Sequence, residues 1–283
     1  MRSRILLLSA VLRFGAASLP AQSTEPPKWQ IGFGAALGTP GGWIQVREWD
    51  IEGTRLRFRR DLNVARIHEL ELRAEYHARP GRGIGLTLAS WALNGSTRLP
   101  ADVLFNGTTL AGGSILTTRT DFPNFLRITL DGWWPLARLG RHGSVSWSVG
   151  LTAVLLNFRL KGTEAPTSVG HEPKEDFLTQ ELPVPIVGIR VRYPFSGRMA
   201  ASAALSGGYL PWVNSLRSEG GVVRLTQSHA DLDIGVEYAV TRSSRVVGGF
   251  RFTDFTQREK SREDGNDINL RASLLTATVL HRF

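Results

Sequence analysis

From residue 28 onwards, apolar and polar side chains alternate with a period of two, and little amphipathic helical periodicity is present. Such alternation is typical of β-strands, in which successive side chains point to opposite faces. The clearest example is LELRAEYHAR, Leu70 to Arg79, with apolar residues on one face and charged or polar residues on the other. The same pattern recurs around residues 126–134, 145–153, 187–195 and 231–238. The sequence therefore predicts an all-β protein.

The connections between these segments also alternate, between short turns and longer polar stretches. Short glycine- or serine-rich turns lie at residues 80–83, 138–143, 195–198 and 241–244. The longer stretches lie near residues 106–113, 162–180, 214–221 and 259–267. Tight turns at one end and long loops at the other are typical of an antiparallel barrel that crosses a membrane.

The pattern predicts about ten strands, with eight or twelve as alternatives. Nine fall near residues 68–79, 84–104, 115–137, 144–161, 182–195, 199–213, 222–240, 245–259 and 268–283. The segment from Trp29 to Phe58 supplies the tenth, although TPGG at residues 39–42 interrupts it. The prediction is an antiparallel up-and-down transmembrane β-barrel that forms one domain over residues 24–283.

Two features favour lipid on the outside of this barrel. Aromatic residues lie near the segment ends, where they predict girdles at the two lipid–water interfaces. These are Trp133, Trp134, Tyr193, Phe195, Tyr209, Trp212, Tyr238 and Phe283. In addition, opposite charges share the other face and are expected to neutralise one another across a narrow lumen. The alternative is a soluble barrel with its apolar face inward around a lipophilic ligand.

The charged face predicts a network of ionic side chains in the lumen. Its members are Glu71, Arg73, Glu75, Arg127, Asp131, Arg190, Arg192, Asp231, Asp233, Glu237 and Arg251. If the charges are fully paired, they plug the barrel; if they are not, they line a narrow polar pore. We expect the plugged form.

Composition is consistent with an exported membrane protein. Apolar residues make up 42% of the chain and charged residues 21%, which excludes a disordered chain. Cysteine is absent, so disulfides and thiolate metal sites are excluded. The net charge of +9 predicts anionic partners, and its spread over strand-like segments favours membrane lipids over nucleic acid.

The N-terminus predicts a secretory signal over residues 1–23. Arg2 and Arg4 precede the apolar run ILLLSAVL, and small residues follow up to a cleavage site near Ala21 or Ser23.

The last strand, LLTATVLHRF, carries a resemblance. With the signal-like start and the alternating strands, it makes the chain similar to bacterial outer-membrane β-barrel proteins of the small porin-like or OmpA-transmembrane-like family. In that family an aromatic-x-Phe ending is an assembly signal that the barrel assembly machinery recognises. The matching residues here are Leu275, Ala277, Val279, His281 and Phe283, with His281 where an aromatic residue is usual. The resemblance implies an outer-membrane location and contact with outer-membrane lipids, including lipopolysaccharide.

One cluster suggests chemistry. His229, Asp231 and Asp233 share one face of a predicted strand and are candidates for acid–base catalysis. Omptin-like outer-membrane proteases use Asp and His near the outer rim, but the paired aspartates expected on another strand are not evident here. The alternative, purely structural interpretation is that Asp231 and Asp233 neutralise lumenal arginines. We therefore expect a non-enzymatic barrel without cofactor or metal, with a structural, surface-binding or small-solute role. A hydrolase using His229 and Asp231 is the alternative.

Overall fold

The computed structural model describes residues 29–48, 51–79, 81–105, 107–120, 125–156, 158–163, 182–218 and 222–283. The predicted signal peptide lies outside these residues. Within them, sixteen strands follow one another along the chain. They are β1 (Trp29–Glu48), β2 (Ile51–Glu52), β3 (Leu56–Arg57), β4 (Ile67–Arg79), β5 (Arg82–Arg98), β6 (Val103–Phe105), β7 (Thr108–Leu110), β8 (Ile115–Arg119), β9 (Phe125–Leu139), β10 (Gly143–Leu156), β11 (Arg159–Lys161), β12 (Val184–Pro194), β13 (Met199–Ser218), β14 (Val222–Ala239), β15 (Ser244–Lys260) and β16 (Asp264–Arg282).

Ten of these strands form a closed antiparallel barrel. They pair in the order β1, β4, β5, β9, β10, β12, β13, β14, β15 and β16. The barrel closes where β16 returns to β1, with paired residues from Gln30 opposite Arg282 to Glu48 opposite Asp264. The predicted ten-strand antiparallel barrel is confirmed. No helix among the described residues is long and apolar enough to cross a membrane.

The outer surface of the barrel is an apolar belt. Every one of the ten strands contributes at least one large apolar side chain that is exposed. Examples, one from each strand, are Phe33, Leu72, Leu86, Leu130, Val149, Val187, Leu205, Ile234, Phe250 and Leu275. Because this much exposed apolar surface is unfavourable in water, the belt identifies the surface that faces lipid. The soluble ligand-binding barrel is therefore wrong, since the apolar face points outward.

On one side of the barrel, the strands β13 to β16 form a wall that is taller than the sequence suggests, and we call this side the tall wall. Parts of the loops predicted at residues 214–221 and 259–267 are strand, because β13 extends to Ser218, β15 extends to Lys260 and β16 begins at Asp264. The described outward residues of these extensions include Asn214, Lys260 and Asp267, which are polar. That polarity made them resemble loops.

Two predicted strands are shorter than expected. The strand predicted over residues 84–104 ends at Arg98, because Leu99 and Pro100 follow and proline cannot donate to a ladder. The segment predicted as one strand over residues 115–137 is divided into β8 and β9. The chain between these barrel strands instead forms short strands outside the ten-strand wall.

These short strands belong to a folded cap at the end of the barrel that carries the long connections. We define the cap as the described residues of 51–66, 99–119 and 158–163. Backbone hydrogen bonds join its parts, for example from Thr54 N to Leu104 O (2.7 Å) and from Ala111 N to Thr163 O (2.9 Å). In outer-membrane barrels the long connections are extracellular and the short turns periplasmic. The cap therefore lies at the extracellular end.

Candidate functional site

The lumen contains long charged side chains, and small residues on a neighbouring strand leave room for them. The inward positions of β1 carry Gly32, Gly34 and Ala36, whereas those of β4 carry glutamates and an arginine. A narrow barrel has little space inside, so bulky groups on one strand require small ones elsewhere.

Arg251 of β15 is the centre of this ionic network. One of its terminal nitrogens, Nη1, lies 2.6 Å from a carboxylate oxygen of Glu69 and 2.8 Å from one of Glu71, both on β4. Its Nε lies 2.6 Å from a carboxylate oxygen of Asp233 on β14. Arg251 therefore joins strands that are separated in the wall by β1 and β16, and its side chain is 7% exposed.

A second group of contacts continues along β4 toward the periplasmic end. Arg73 lies between two glutamates, with its Nη2 3.2 Å from Glu71 and its Nη1 3.9 Å from Glu75. Glu75 also accepts a hydrogen bond of 3.1 Å from the side-chain amide of Gln30. His77 lies 3.3 Å from the same glutamate.

The opposite part of the wall makes its own pairs. Arg127 of β9 donates to Asp231 over 2.8 Å, and the hydroxyl of Thr253 donates to the same carboxylate over 2.7 Å. Arg190 pairs with Asp131, and its guanidinium lies over the Trp133 ring, 4.7 Å from the centroid. Trp133 is buried in the lumen and not part of the predicted girdle, because it shares the inward face of β9 with Arg127 and Asp131.

The periplasmic end of the network is a three-residue cluster. Glu237 accepts from Arg192 over 2.9 Å and from Arg245 over 3.1 Å. Two cations on one carboxylate leave this end of the lumen positively charged.

The structure brings all eleven residues of the predicted lumenal network into ion pairs inside the barrel. Two further members, Glu69 and Arg245, were missed. Each lies on the inward face near the start of a predicted strand, so the period-two pattern continued back from Glu71 and from Arg251 identifies both. In these pairs seven carboxylates meet six guanidinium groups, so the net charge of +9 originates elsewhere in the molecule.

An apolar core lies between the ionic network and the extracellular solvent. Trp91 marks the boundary, because its indole N–H donates to Glu69 while its ring packs against Phe125, with centroids 5.0 Å apart. The cap and the tall wall supply most of the core. Its members include Leu56, Phe58, Leu62, Val103, Phe105, Leu110, Leu116, Phe158, Leu160, Phe255, Ile268, Leu270 and Leu274.

A charged turn at the edge of the cap is stabilised by Asp61. Partial burial by itself raises the pKa of the Asp61 carboxyl, but hydrogen bonds from the Arg60 side chain and the Arg57 amide, with the charges of both arginines, bring the pKa below its ordinary value. Asp61 therefore remains ionised near neutral pH.

The three residues of the predicted catalytic group, His229, Asp231 and Asp233, each contact different neighbours. Asp231 is bound by Arg127 and Thr253, and Asp233 by Arg251. His229 is 4% exposed, its two ring nitrogens have no hydrogen-bond partner among the described residues, and its ring packs 5.0 Å from that of Phe255. Within the described residues, no group of three or more His, Asp or Glu side chains is placed to hold a metal ion.

The predicted assembly signal lies on the outward face of β16. Leu275, Val279 and Phe283 are 72%, 54% and 68% exposed. His281 packs edge-on against Phe283, with centroids 4.7 Å apart, and its Nδ1 lies 3.0 Å from the hydroxyl of Ser244. An aromatic pair therefore ends the strand, with histidine as one member.

No protein-family model and no curated protein match the sequence. Similar solved structures include the outer membrane protease OmpT from Escherichia coli, at 13% identity and a TM-score of 0.49 over 92% of this chain and 98% of that chain. The outer membrane protein OprG from Pseudomonas aeruginosa is 10% identical, with a TM-score of 0.38 over 92% and 98%. Neisserial surface protein A is 11% identical, with a TM-score of 0.30 over 90% and 97%.

Similarity at these levels carries no information on activity. The kind of environment that the protein occupies follows instead from the side chains on the two faces of its barrel wall. Charged side chains are hidden inside a closed barrel, whereas the apolar side chains of all ten strands are displayed outside. Closure of the ten-strand wall leaves it without a free edge strand, which a hydrocarbon environment requires. A wall built in this way suits only lipid, and the chain therefore folds as a transmembrane β-barrel of the outer-membrane type.

Proposed function

We propose that the protein is a closed, non-enzymatic barrel with a structural role in the outer membrane, and that its cap presents a binding surface to the outside. The observation that carries this proposal is the succession of two filled layers along the barrel axis. An ion-paired layer centred on Arg251 occupies the lumen, and an apolar core that contains Phe58 and Phe105 lies above it. A solute would have to break ion pairs and displace packed apolar side chains.

Single-channel recording in planar bilayers tests the closed barrel. The purified protein is expected to give no conductance steps, whereas an established porin inserted under the same conditions gives them. Regular conductance steps from the heat-modifiable, folded protein would instead establish a small-solute pore.

The non-enzymatic part of the proposal is supported by the contacts of His229 and Asp231. A general base must be oriented and must reach the substrate. Here Asp231 is held by Arg127 and Thr253, and the buried His229 ring packs on Phe255.

Cleavage of lipids and peptides by the wild type tests this part directly. No cleavage is expected. Cleavage that disappears in both His229→Ala and Asp231→Ala, while each variant still folds, would establish the hydrolase alternative.

A second proposal concerns lipopolysaccharide as a partner. Three cations lie on the outer face of the tall wall: Arg224 of β14, with Lys260 as its paired neighbour on β15, and Arg258 two positions away. The Lys260 ammonium lies 5.7 Å from the centroid of the Trp212 ring. Cations above the lipid belt attract the anionic groups of lipopolysaccharide.

The triple variant Arg224→Gln/Arg258→Gln/Lys260→Gln, called the outer-wall variant, tests this partner. It is expected to retain less lipopolysaccharide than the wild type when both are purified in the same detergent. Equal retention would reject the contact while leaving the closed barrel untouched.

A further inference from the structure

The periplasmic rim carries an unbalanced set of arginines. The four short turns, at residues 79–82, 138–142, 195–198 and 240–243, contain Arg79, Arg82, Arg138, Arg141, Arg198 and Arg242 and no acidic residue. Among the described residues, none of these six arginines pairs with a carboxylate. Since the lumenal charges nearly cancel, the turns account for a large part of the net charge of +9.

At each of the four turns, an arginine follows an outward-facing aromatic residue by three or four positions in the sequence. The pairs are Tyr76 and Arg79, Trp134 and Arg138, Phe195 and Arg198, and Tyr238 and Arg242. Aromatic residues of this kind mark the boundary between hydrocarbon and headgroups. A few residues further along a tilted strand, a guanidinium lies at the depth of lipid phosphates.

A small polar cavity opens at the same rim. Its volume is about 60 Å³, and its lining includes Arg192, Arg198, Arg245 and Glu237. Three guanidinium groups around one carboxylate leave the cavity with excess positive charge. It therefore suits an oxyanion such as a phosphate better than a cation or an apolar group.

We propose that this rim binds the headgroups of anionic phospholipids in the periplasmic leaflet of the outer membrane. The turns are too short to project far from the membrane, and their arginines sit just beyond the aromatic residues. A lipid headgroup therefore fits this surface better than the distant cell wall does. The inference does not depend on whether the lumen conducts, so it extends beyond the proposed function.

The test compares two variants that each lose three positive charges. The rim variant, Arg82→Gln/Arg138→Gln/Arg242→Gln, changes three exposed arginines in three different turns. Its control is the cap variant, Arg57→Gln/Arg59→Gln/Arg66→Gln, which changes three exposed arginines of the cap, away from the lipid belt. Each protein is reconstituted in nanodiscs of equal parts phosphatidylglycerol and phosphatidylcholine, and heat-modifiable migration verifies folding. Native mass spectrometry then counts the lipids that remain bound.

The wild type and the cap variant are expected to retain phosphatidylglycerol in preference to phosphatidylcholine, and the rim variant to lose roughly tenfold or more of that preference. High salt is expected to reduce the preference of the wild type. Three results would overturn the proposal: equal retention of both lipids by the wild type, equal losses in the two variants, or an undiminished preference in the rim variant. Capture of peptidoglycan fragments by the wild type, with no lipid preference, would also overturn it and assign the rim to the cell wall.

Discussion

At the scale of single residues, Arg251 shows why the lumen is filled with charges in pairs. Its guanidinium touches Glu69, Glu71 and Asp233, and all three contacts are 2.8 Å or shorter. A buried ion pair gains little over an apolar pair of the same shape, but removal of one partner leaves an uncompensated buried charge. The network is therefore sensitive to the loss of its centre.

We expect Arg251→Gln to destabilise the barrel by about 3–5 kcal/mol, because three carboxylates lose their common partner. Urea unfolding in detergent micelles, followed by tryptophan fluorescence, measures the change. The matched control is Arg271→Gln, which breaks a pair between Arg271 and Asp254 in which Arg271 is 60% exposed. The control is expected to cost less than about 1 kcal/mol. Equal effects of the two substitutions would contradict the description of the lumen as a dry ionic layer.

At the scale of elements, the cap and the tall wall form one apolar unit. The cap contributes Phe58 and Phe158, whose rings meet edge to face with centroids 5.9 Å apart. The tall wall contributes Phe255 and Leu270 to the same core. The cap therefore packs against the barrel and shares one hydrophobic core with it.

The substitution Phe58→Ala is expected to loosen the cap without opening the barrel, since a buried Phe→Ala change costs about 3–5 kcal/mol. Limited proteolysis of the folded protein measures this as faster cleavage within the cap, while heat-modifiable migration of the barrel remains. Phe33→Ala is the control, because Phe33 is 59% exposed on the lipid-facing belt and its loss leaves no internal cavity. Unchanged cleavage in Phe58→Ala would show that the cap is held by its backbone hydrogen bonds alone.

The end of β16 provides a prediction on assembly. If Phe283 belongs to a signal for the assembly machinery, Phe283→Ala is expected to lower the amount of folded protein in cell membranes severalfold, while refolding into detergent micelles is unaffected. Phe250→Ala is the control, since Phe250 is an outward aromatic in the middle of the neighbouring strand. Normal membrane levels of Phe283→Ala would reject the signal, and a failure of micelle refolding would indicate a role in stability.

At the scale of the whole molecule, the charges are separated by location. The lumen is nearly neutral, the periplasmic rim is positive, and the cap and outer wall carry both signs. Salt screens charges that water reaches and has much less effect on buried pairs.

The unfolding midpoint in urea is therefore expected to change little between low and high sodium chloride. The same titration on Arg271→Gln, which lacks one exposed pair, measures the contribution of surface screening. A large loss of stability of the wild type in high salt would indicate a water-filled lumen and would argue against the closed barrel.

The sequence by itself determined the all-β class, the two faces of the clearest strands and a barrel of about ten strands. These properties are local, because the period-two pattern needs only successive residues. The lumenal positions of Glu71, Arg127 and Asp231 follow from the same alternation. The aromatic ending of the chain is likewise readable without any tertiary contact.

Only the tertiary structure decided which charges pair and what packs at the extracellular end. Arg251 and Glu69 are 182 positions apart, and their contact depends on the curvature and closure of the wall. The extended parts of β15 and β16 place Phe255, Ile268 and Leu270 in the same buried core as the cap. Closure and packing bring distant segments together, and no periodicity in a single segment contains that information.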